Sequence, residues 1–270
     1  MSIKISIIMP VHNAEKLVWE TIESILNQTY KDFEFVIVDD CSTDNSYEIC
    51  QKYTQQDKRI KLYKNEKNLW VVKTRNKLLK LVDKKSQYIA IIDSDDVAKP
   101  ERLAKQIEFL EKNLDYAVVG SFLEIIDENS KTIWYRKYPI SYKDVKKTIC
   151  KKSPLAQPAV MIRKSAWNNV WAYNENFERV QDYELWFRFF NKWYKLGNLP
   201  EYLLKYRIHS NQWKSKHLKL TLKNTIKIQL SNIKKCFCSL GYILAEIFLL
   251  ALPSKWILEM FKKLEYKNEK

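Results

Sequence analysis

The 270-residue chain holds only three glycines, Gly120, Gly197 and Gly241, where average usage would supply roughly nineteen. No glycine-rich, basic phosphate loop can therefore sit beside its first apolar strand. Pro10-Val11-His12-Asn13 occupies that place instead. Histidine is equally scarce, at three residues, and the five cysteines show no paired spacing. Together they supply no convincing zinc ligand set. The odd count of Cys41, Cys50, Cys150, Cys236 and Cys238 leads to the expectation of free thiols in a reducing compartment. Long apolar runs are few. Ile3 to Val11 is too short and too close to Pro10 for a signal peptide, and reads better as a first buried strand. Residues Cys236 to Leu252, interrupted by Glu246, fall just short of the roughly 20 residues that a membrane span needs.

What is present describes a folded protein: 46% hydrophobic and 29% charged residues, with a net charge of +15. The charge is unevenly placed. From Lys205 to the end, 14 Lys or Arg stand against 4 acids. Such a tail suits nucleic acid or an anionic membrane face. Lys234, Lys235, Lys255, Lys262 and Lys263 flank the apolar segment, so residues 213–270 are expected to form a basic, apolar helical tail lying on a membrane. A true span, or a helix of the globular core, are the alternatives.

Short apolar runs alternate with helical patterns through the first half. Ile5 to Met9, Phe33 to Val38, Ile60 to Tyr63 and Tyr88 to Ile92 read as strands, with helices over Ala14 to Gln28 and Lys73 to Val82. Ser42-Thr43-Asp44 can cap a helix, and Pro100-Glu101 can start another. This spacing predicts a parallel, doubly wound α/β sheet, whose ligands bind at the C-terminal strand ends. Two of those ends carry clustered acids, Asp39-Asp40 and Asp93-Ser94-Asp95-Asp96. Carboxylates gathered there repel one another unless something positive neutralises them, most simply Mg²⁺ or Mn²⁺ held with substrate phosphates. From about Val118 the pattern becomes mixed. Ser121 to Ile126, Thr132 to Tyr135 and Gln157 to Ile162 read as strands, and Gln181 to Asn191 as a helix.

Four motifs in order give the chain a family resemblance. They are Ile7-Ile8-Met9-Pro10-Val11-His12-Asn13, Val36-Ile37-Val38-Asp39-Asp40-Cys41-Ser42-Thr43-Asp44, Asp93-Ser94-Asp95-Asp96, and Gln181-Asp182-Tyr183-Glu184-Leu185-Trp186-Phe187-Arg188. The chain resembles the family 2 glycosyltransferases of the GT-A fold over about residues 3 to 212. The resemblance implies one GT-A domain, 1–212, with a nucleotide-binding half to 117 and an acceptor half from 118. It implies a bacterial enzyme that moves a hexose or N-acetylhexosamine, with inversion, from a nucleotide-sugar donor, usually UDP-linked, to a glycan or lipid-linked acceptor. The place of action would be the cytoplasmic face of the cell membrane, with no nucleic acid partner.

The resemblance also assigns roles. Pro10, Val11, His12, Asn13, Asp39 and Asp40 would surround the base and ribose, with Asp39 a partner for uracil. Arg75 and Ser94 would line the donor site; for Arg75 a solvated helix charge is the plain alternative. Asp93 would contact ribose or metal, Asp95 would ligate the divalent cation, and His209 would ligate metal or hydrogen-bond phosphate. Asp182 would be the catalytic base. A nucleotidyltransferase-like enzyme and a non-catalytic basic membrane or nucleic-acid module are the other readings.

One departure stands out. Trp70 and Trp171 fall where the family pattern has glycine, while Trp186 stands where tryptophan is common. With nine tryptophans against three glycines, some of Trp70, Trp171, Trp193 and Trp213 are expected to be UGA codons that the source reads as glycine. The alternative is an ordinary tryptophan-rich, glycine-poor protein.

Overall fold

A computed structural model describes residues 4–208, 218–235, 240–254 and 256–257. His209, Trp213, Cys236 and Cys238 lie outside the described residues.

Four strands form the parallel half of one sheet: β1 (Ile5–Val11), β2 (Phe33–Asp39), β3 (Ile60–Lys64) and β4 (Tyr88–Ile91). Between them run α1 (Val18–Leu26), α2 (Ser46–Gln56) and α3 (Trp70–Leu81). The mixed half follows as β5 (Val97–Ala98), α4 (Arg102–Lys112), β6 (Tyr116–Ile126), β7 (Thr132–Arg136), α5 (Tyr142–Ile149), β8 (Met161–Arg163), α6 (Lys164–Val170), α7 (Gln181–Asn191) and β9 (Lys195–Arg207). Helices α8 (Leu218–Ser231) and α9 (Leu240–Ala251) complete the described chain. The strand order is β3-β2-β1-β4-β8-β6-β9-β5, with β7 on the outer part of β6. Strands β1 to β4 pair in parallel. β8 then runs antiparallel to both β4 and β6.

Alternation along β1 explains the two cores. Ile5, Ile7 and Met9 pack on one face with Val18, Ile22 and Ile25 of α1 and Leu103, Ile107 and Leu110 of α4. Ile8 faces the other side, with Val72 and Leu78 of α3 and Trp186 and Phe189 of α7. Every residue of β1 and β2 is buried, as expected of strands covered on both faces. The register pairs Val11 with Asp39, so the polar ends of these strands emerge side by side.

Several expectations need correction. Residues Gln157–Ala159 form a 3₁₀ turn, not the start of a strand; Pro158 has no N–H for a ladder. Strand β9 was not legible, because Pro200-Glu201 interrupts its pattern and its pairing to β6 shifts register there. α2 begins after Asn45 with no side-chain cap bond, and Asp44 instead accepts from the Ser46 and Glu15 amides. Cys150 is disulfide-bonded, against the expectation of free thiols, whereas Cys41 and Cys50 are free.

Among the described residues no glycine has positive φ, yet Trp70, Trp171 and Trp193 do, at 67°, 66° and 66°. Non-glycine residues seldom adopt that region, and bulky ones there are outliers.

The candidate active site

Residues Pro10 to Asn13 end β1 and join it to the loop after β2. Pro10 and Val11 belong to the strand and are buried. His12 has both ring nitrogens engaged, Nδ1 with the Asp40 carbonyl at 3.0 Å and Nε2 with Asn68 at 3.2 Å. The Asn13 amide donates to Ser42 Oγ, and Asn13 Oδ1 accepts from the Thr43 amide at 2.8 Å. These bonds tie the end of β1 to the loops after β2 and β3. Asp40 does similar work: its Oδ1 accepts from the Leu69 amide and from Asn65, tying the turn before α3 to β2. Asp39 differs. It is fully buried, its Oδ2 accepts from the Ser42 amide, and its Oδ1 has no partner in the protein. A buried acceptor left open is costly and suits a ligand N–H.

The second cluster forms where β4 ends. Arg75 of α3 is buried and ion-paired with Asp93 at 2.5 Å, so it is no solvated helix charge. Its other terminal nitrogen donates to Gln157 Oε1 at 2.8 Å, and Gln157 Nε2 donates to the Tyr173 hydroxyl at 2.7 Å. Asn76 holds the Tyr173 backbone through both its N–H and its carbonyl. Arg75 Nε is buried without a partner. Burial alone would lower the guanidinium's pKa, but Asp93, Tyr173 and Asp182 around it raise it.

Asp182 enters this cluster from the first turn of α7. Tyr183, Leu185, Trp186, Phe187, Phe189 and Phe190 are buried along that helix and anchor it. Desolvation pushes the Asp182 carboxyl above the usual aspartate range, with the Tyr183 backbone N–H and Arg75 opposing and Asp93 adding. Asp182 thus lies within electrostatic reach of Arg75 and Asp93. Val180, which precedes this turn, has φ 54° and ψ 26°, a left-handed conformation. Glu184 pairs with Arg188 at 2.9 Å, and Arg188 donates to the Val170 and Trp171 carbonyls.

The turn after β4 carries Ser94, Asp95 and Asp96. Asp96 is fully buried, and burial, with Asp95 and Asp93 adding, raises its pKa well above the usual range. Its Oδ1 accepts from the Arg207 amide at 2.9 Å. Among the described residues no three His, Cys, Asp or Glu side chains gather into a metal site. Mg²⁺ or Mn²⁺ needs only one or two carboxylates beside substrate phosphates. Asp93 and Asp95, on one strand-end turn with Asp93 already neutralised in part by Arg75, fit that requirement. Gln157, Tyr173 and Arg207 were not foreseen in these roles, since each reaches the crevice from a distant segment; only the polar Gln157 next to Pro158 offered any signal.

The profile described as Glycosyl transferase family 2 matches residues 6–171. An uncharacterized glycosyltransferase of Methanocaldococcus jannaschii is 37% identical over 250 residues, covering 90% of this chain and 85% of its own. The O-antigen biosynthesis glycosyltransferase WbnJ of Escherichia coli is 37% identical over 213 residues, covering 76% of this chain and 80% of its own. Among solved structures, S. aureus TarS 1–349 in complex with UDP-GlcNAc superposes with a TM-score of 0.67 at 19% identity, covering 90% of this chain and 73% of that one. The mannosyltransferase PcManGT of Pyrobaculum calidifontis, in complex with GDP-Man and Mn²⁺, gives 0.64 at 14% identity, covering 97% and 80%. These two likenesses concern the fold.

Proposed function

The chain belongs to glycosyl transferase family 2, and from that premise we propose that it is an inverting, metal-dependent transferase. It takes a hexose or N-acetylhexosamine from a nucleotide sugar, most simply a UDP-sugar, and adds it to a lipid-linked or growing cell-envelope polysaccharide. The observation that carries the reading is the buried Arg75 paired with Asp93 just past the end of a parallel strand, with the Asp182 carboxyl within electrostatic reach of both. Glycosyltransferase membership removes the nucleotidyltransferase and non-catalytic alternatives.

Two of the buried polar atoms without a partner in the protein supply the donor contacts. Asp39 Oδ1 accepts a base N–H, and Arg75 Nε faces the charged part of the donor. Asp95 and Asp93 would hold the divalent cation. When bound, that ion offsets the negative charge gathering on the departing diphosphate. Asp182 removes the acceptor hydroxyl's proton while the hydroxyl oxygen attacks the anomeric carbon. The bond from that carbon to the diphosphate oxygen breaks on the opposite face, which inverts the centre. The raised pKa makes Asp182 a stronger base than an exposed aspartate. TarS with UDP-GlcNAc and PcManGT with GDP-Man and Mn²⁺ support a nucleotide-sugar donor and a cation, and WbnJ supports a polysaccharide acceptor.

Among the described residues no helix is long and apolar enough to cross a membrane. α9 instead exposes Leu240, Leu244, Ile247 and Phe248, spaced along one helical face. With Lys234 and Lys235 shortly before it in the chain, this face supports docking on the anionic membrane surface that carries a lipid-linked acceptor.

The test is nucleotide release across a panel of UDP- and GDP-sugars, with and without Mn²⁺ or Mg²⁺. Turnover that needs metal and is lost in both Asp95→Asn and Asp182→Asn, with folding intact, supports the assignment. Unchanged turnover in either variant overturns that residue's role.

A further inference from the structure

Arg207 ends β9 far from the acidic motif in sequence, yet its buried guanidinium organises the turn that bears it. The Nε donates to the Asp95 carbonyl at 2.8 Å, and the backbone amide donates to Asp96 Oδ1 at 2.9 Å. One terminal nitrogen donates to the Asp127 carbonyl at 3.0 Å and Ser130 Oγ at 2.9 Å. The other pairs with Glu20 of α1, and Ser130 Oγ also donates to Glu20. One side chain thus joins β9, the strand-end acids, the β6–β7 hairpin and α1. Its side chain is 0% exposed, so it has no route to substrate. A planar fork with five donors can hold all these acceptors at once, and a lysine cannot.

The geometry points to Arg207 as a positioning residue: it fixes the backbone of Asp95 and so the direction in which the Asp95 carboxylate meets the cation. This rests on the reading of Asp95 as metal ligand. Loss of a supporting shell commonly weakens metal binding about 10-fold or more, whereas a merely structural role lowers the melting temperature and leaves metal affinity alone.

The test measures Mn²⁺ affinity in the presence of UDP, by electron paramagnetic resonance or calorimetry, on the full chain. Arg207→Lys is expected to weaken Mn²⁺ about 10-fold, and Glu20→Gln, which loosens the fork but leaves Arg207 in place, by a smaller factor. Wild-type affinity in folded Arg207→Lys overturns the proposal. Should that variant not fold, wild-type affinity in Glu20→Gln overturns it. Asp95→Asn is the control: if it binds Mn²⁺ like wild type, the reading of Asp95 fails, whatever Arg207 does.

A separate observation concerns the polypeptide itself. Trp193 lies just past α7, where its amide donates to the Phe190 carbonyl and the Tyr194 amide to the Phe189 carbonyl. That pair of bonds is a Schellman ending, whose left-handed residue is usually glycine. Trp171 ends α6 with φ 66° and ψ 175°, a region that is essentially glycine-only. Trp70 opens α3 at φ 67°. The three residues are 75%, 78% and 79% exposed, so little burial offsets the strain; the Trp193 ring has the Lys235 ammonium over it at 5.7 Å, a contact worth about 0.5–1 kcal/mol at an exposed site. We infer that residues 70, 171 and 193 are glycine in the native protein, encoded by UGA and written as tryptophan. The codons and the masses of the corresponding peptides from the source organism decide it. UGA codons with glycine-mass peptides are expected. A UGG codon, or a tryptophan-mass peptide, overturns the inference at that position. The chain carrying Trp70→Gly, Trp171→Gly and Trp193→Gly should also melt higher than the chain as written.

Discussion

Arg75 Nη2 lies 2.5 Å from Asp93 Oδ1, which locks α3 to the turn after β4. The arginine is buried while the Asp93 side chain is 30% exposed. Asp93→Asn should therefore cost about 1–3 kcal/mol, less than the loss of a fully buried pair. Urea unfolding gives that figure, and donor KM should rise with it. An unchanged donor KM would place Asp93 outside the donor site.

Asp182→Asn should lower kcat by about 10²–10⁴-fold, the usual share of a general base. The sign of its effect on stability is opposite. Because the folded-state pKa is raised, Asp182 favours folding below its unfolded pKa, and that contribution is lost as pH rises through the folded value. Asparagine does not titrate, so the variant should gain on wild type with rising pH. Thermal unfolding at acid and neutral pH checks this. The acid limb of kcat in the wild type should lie above the ordinary aspartate range.

Val180 holds a left-handed conformation immediately before Gln181 and Asp182, and its branched Cβ makes that conformation costly. Val180→Gly should stabilise the chain by about 1 kcal/mol. A chemical denaturation midpoint shifted downward would show that Val180 packing outweighs the strain.

Glu246 in α9 is raised to about 7 by burial, with a hydrogen bond from Gln229 opposing. Its neutral form suits the folded state, so stability is fully present below its unfolded pKa and declines as pH rises through about 7. Glu246→Gln should abolish that decline. Proteolysis of the α8–α9 region at pH 6 and pH 8 measures it, and equal pH sensitivity in both chains would refute the link.

Much of the parallel half was legible in the sequence. Buried β-branched runs ending in acids mark strands whose ends face a crevice, and α7 was readable from Gln181 to Asn191 because its aromatic residues recur at helical spacing. The excess of tryptophan over glycine already hinted at misread positions. The crevice itself divided the expected donor residues. His12, Asn13 and Asp40 spend their polar groups on loops of the protein, while Asp39 keeps one oxygen open. Nothing in a linear motif distinguishes these, since motif membership does not say which lone pair the fold satisfies.

The sequence by itself determined the strand-helix alternation, the two acidic strand ends and the order of the motifs, because these follow from local periodicity and side-chain chemistry. Only the tertiary structure decided that Arg75 pairs with Asp93, that Arg207 grips the Asp95 carbonyl, and that three tryptophans occupy glycine backbone. Those facts depend on distances between residues remote in the chain and on backbone angles set by packing, and neither is written in residue spacing.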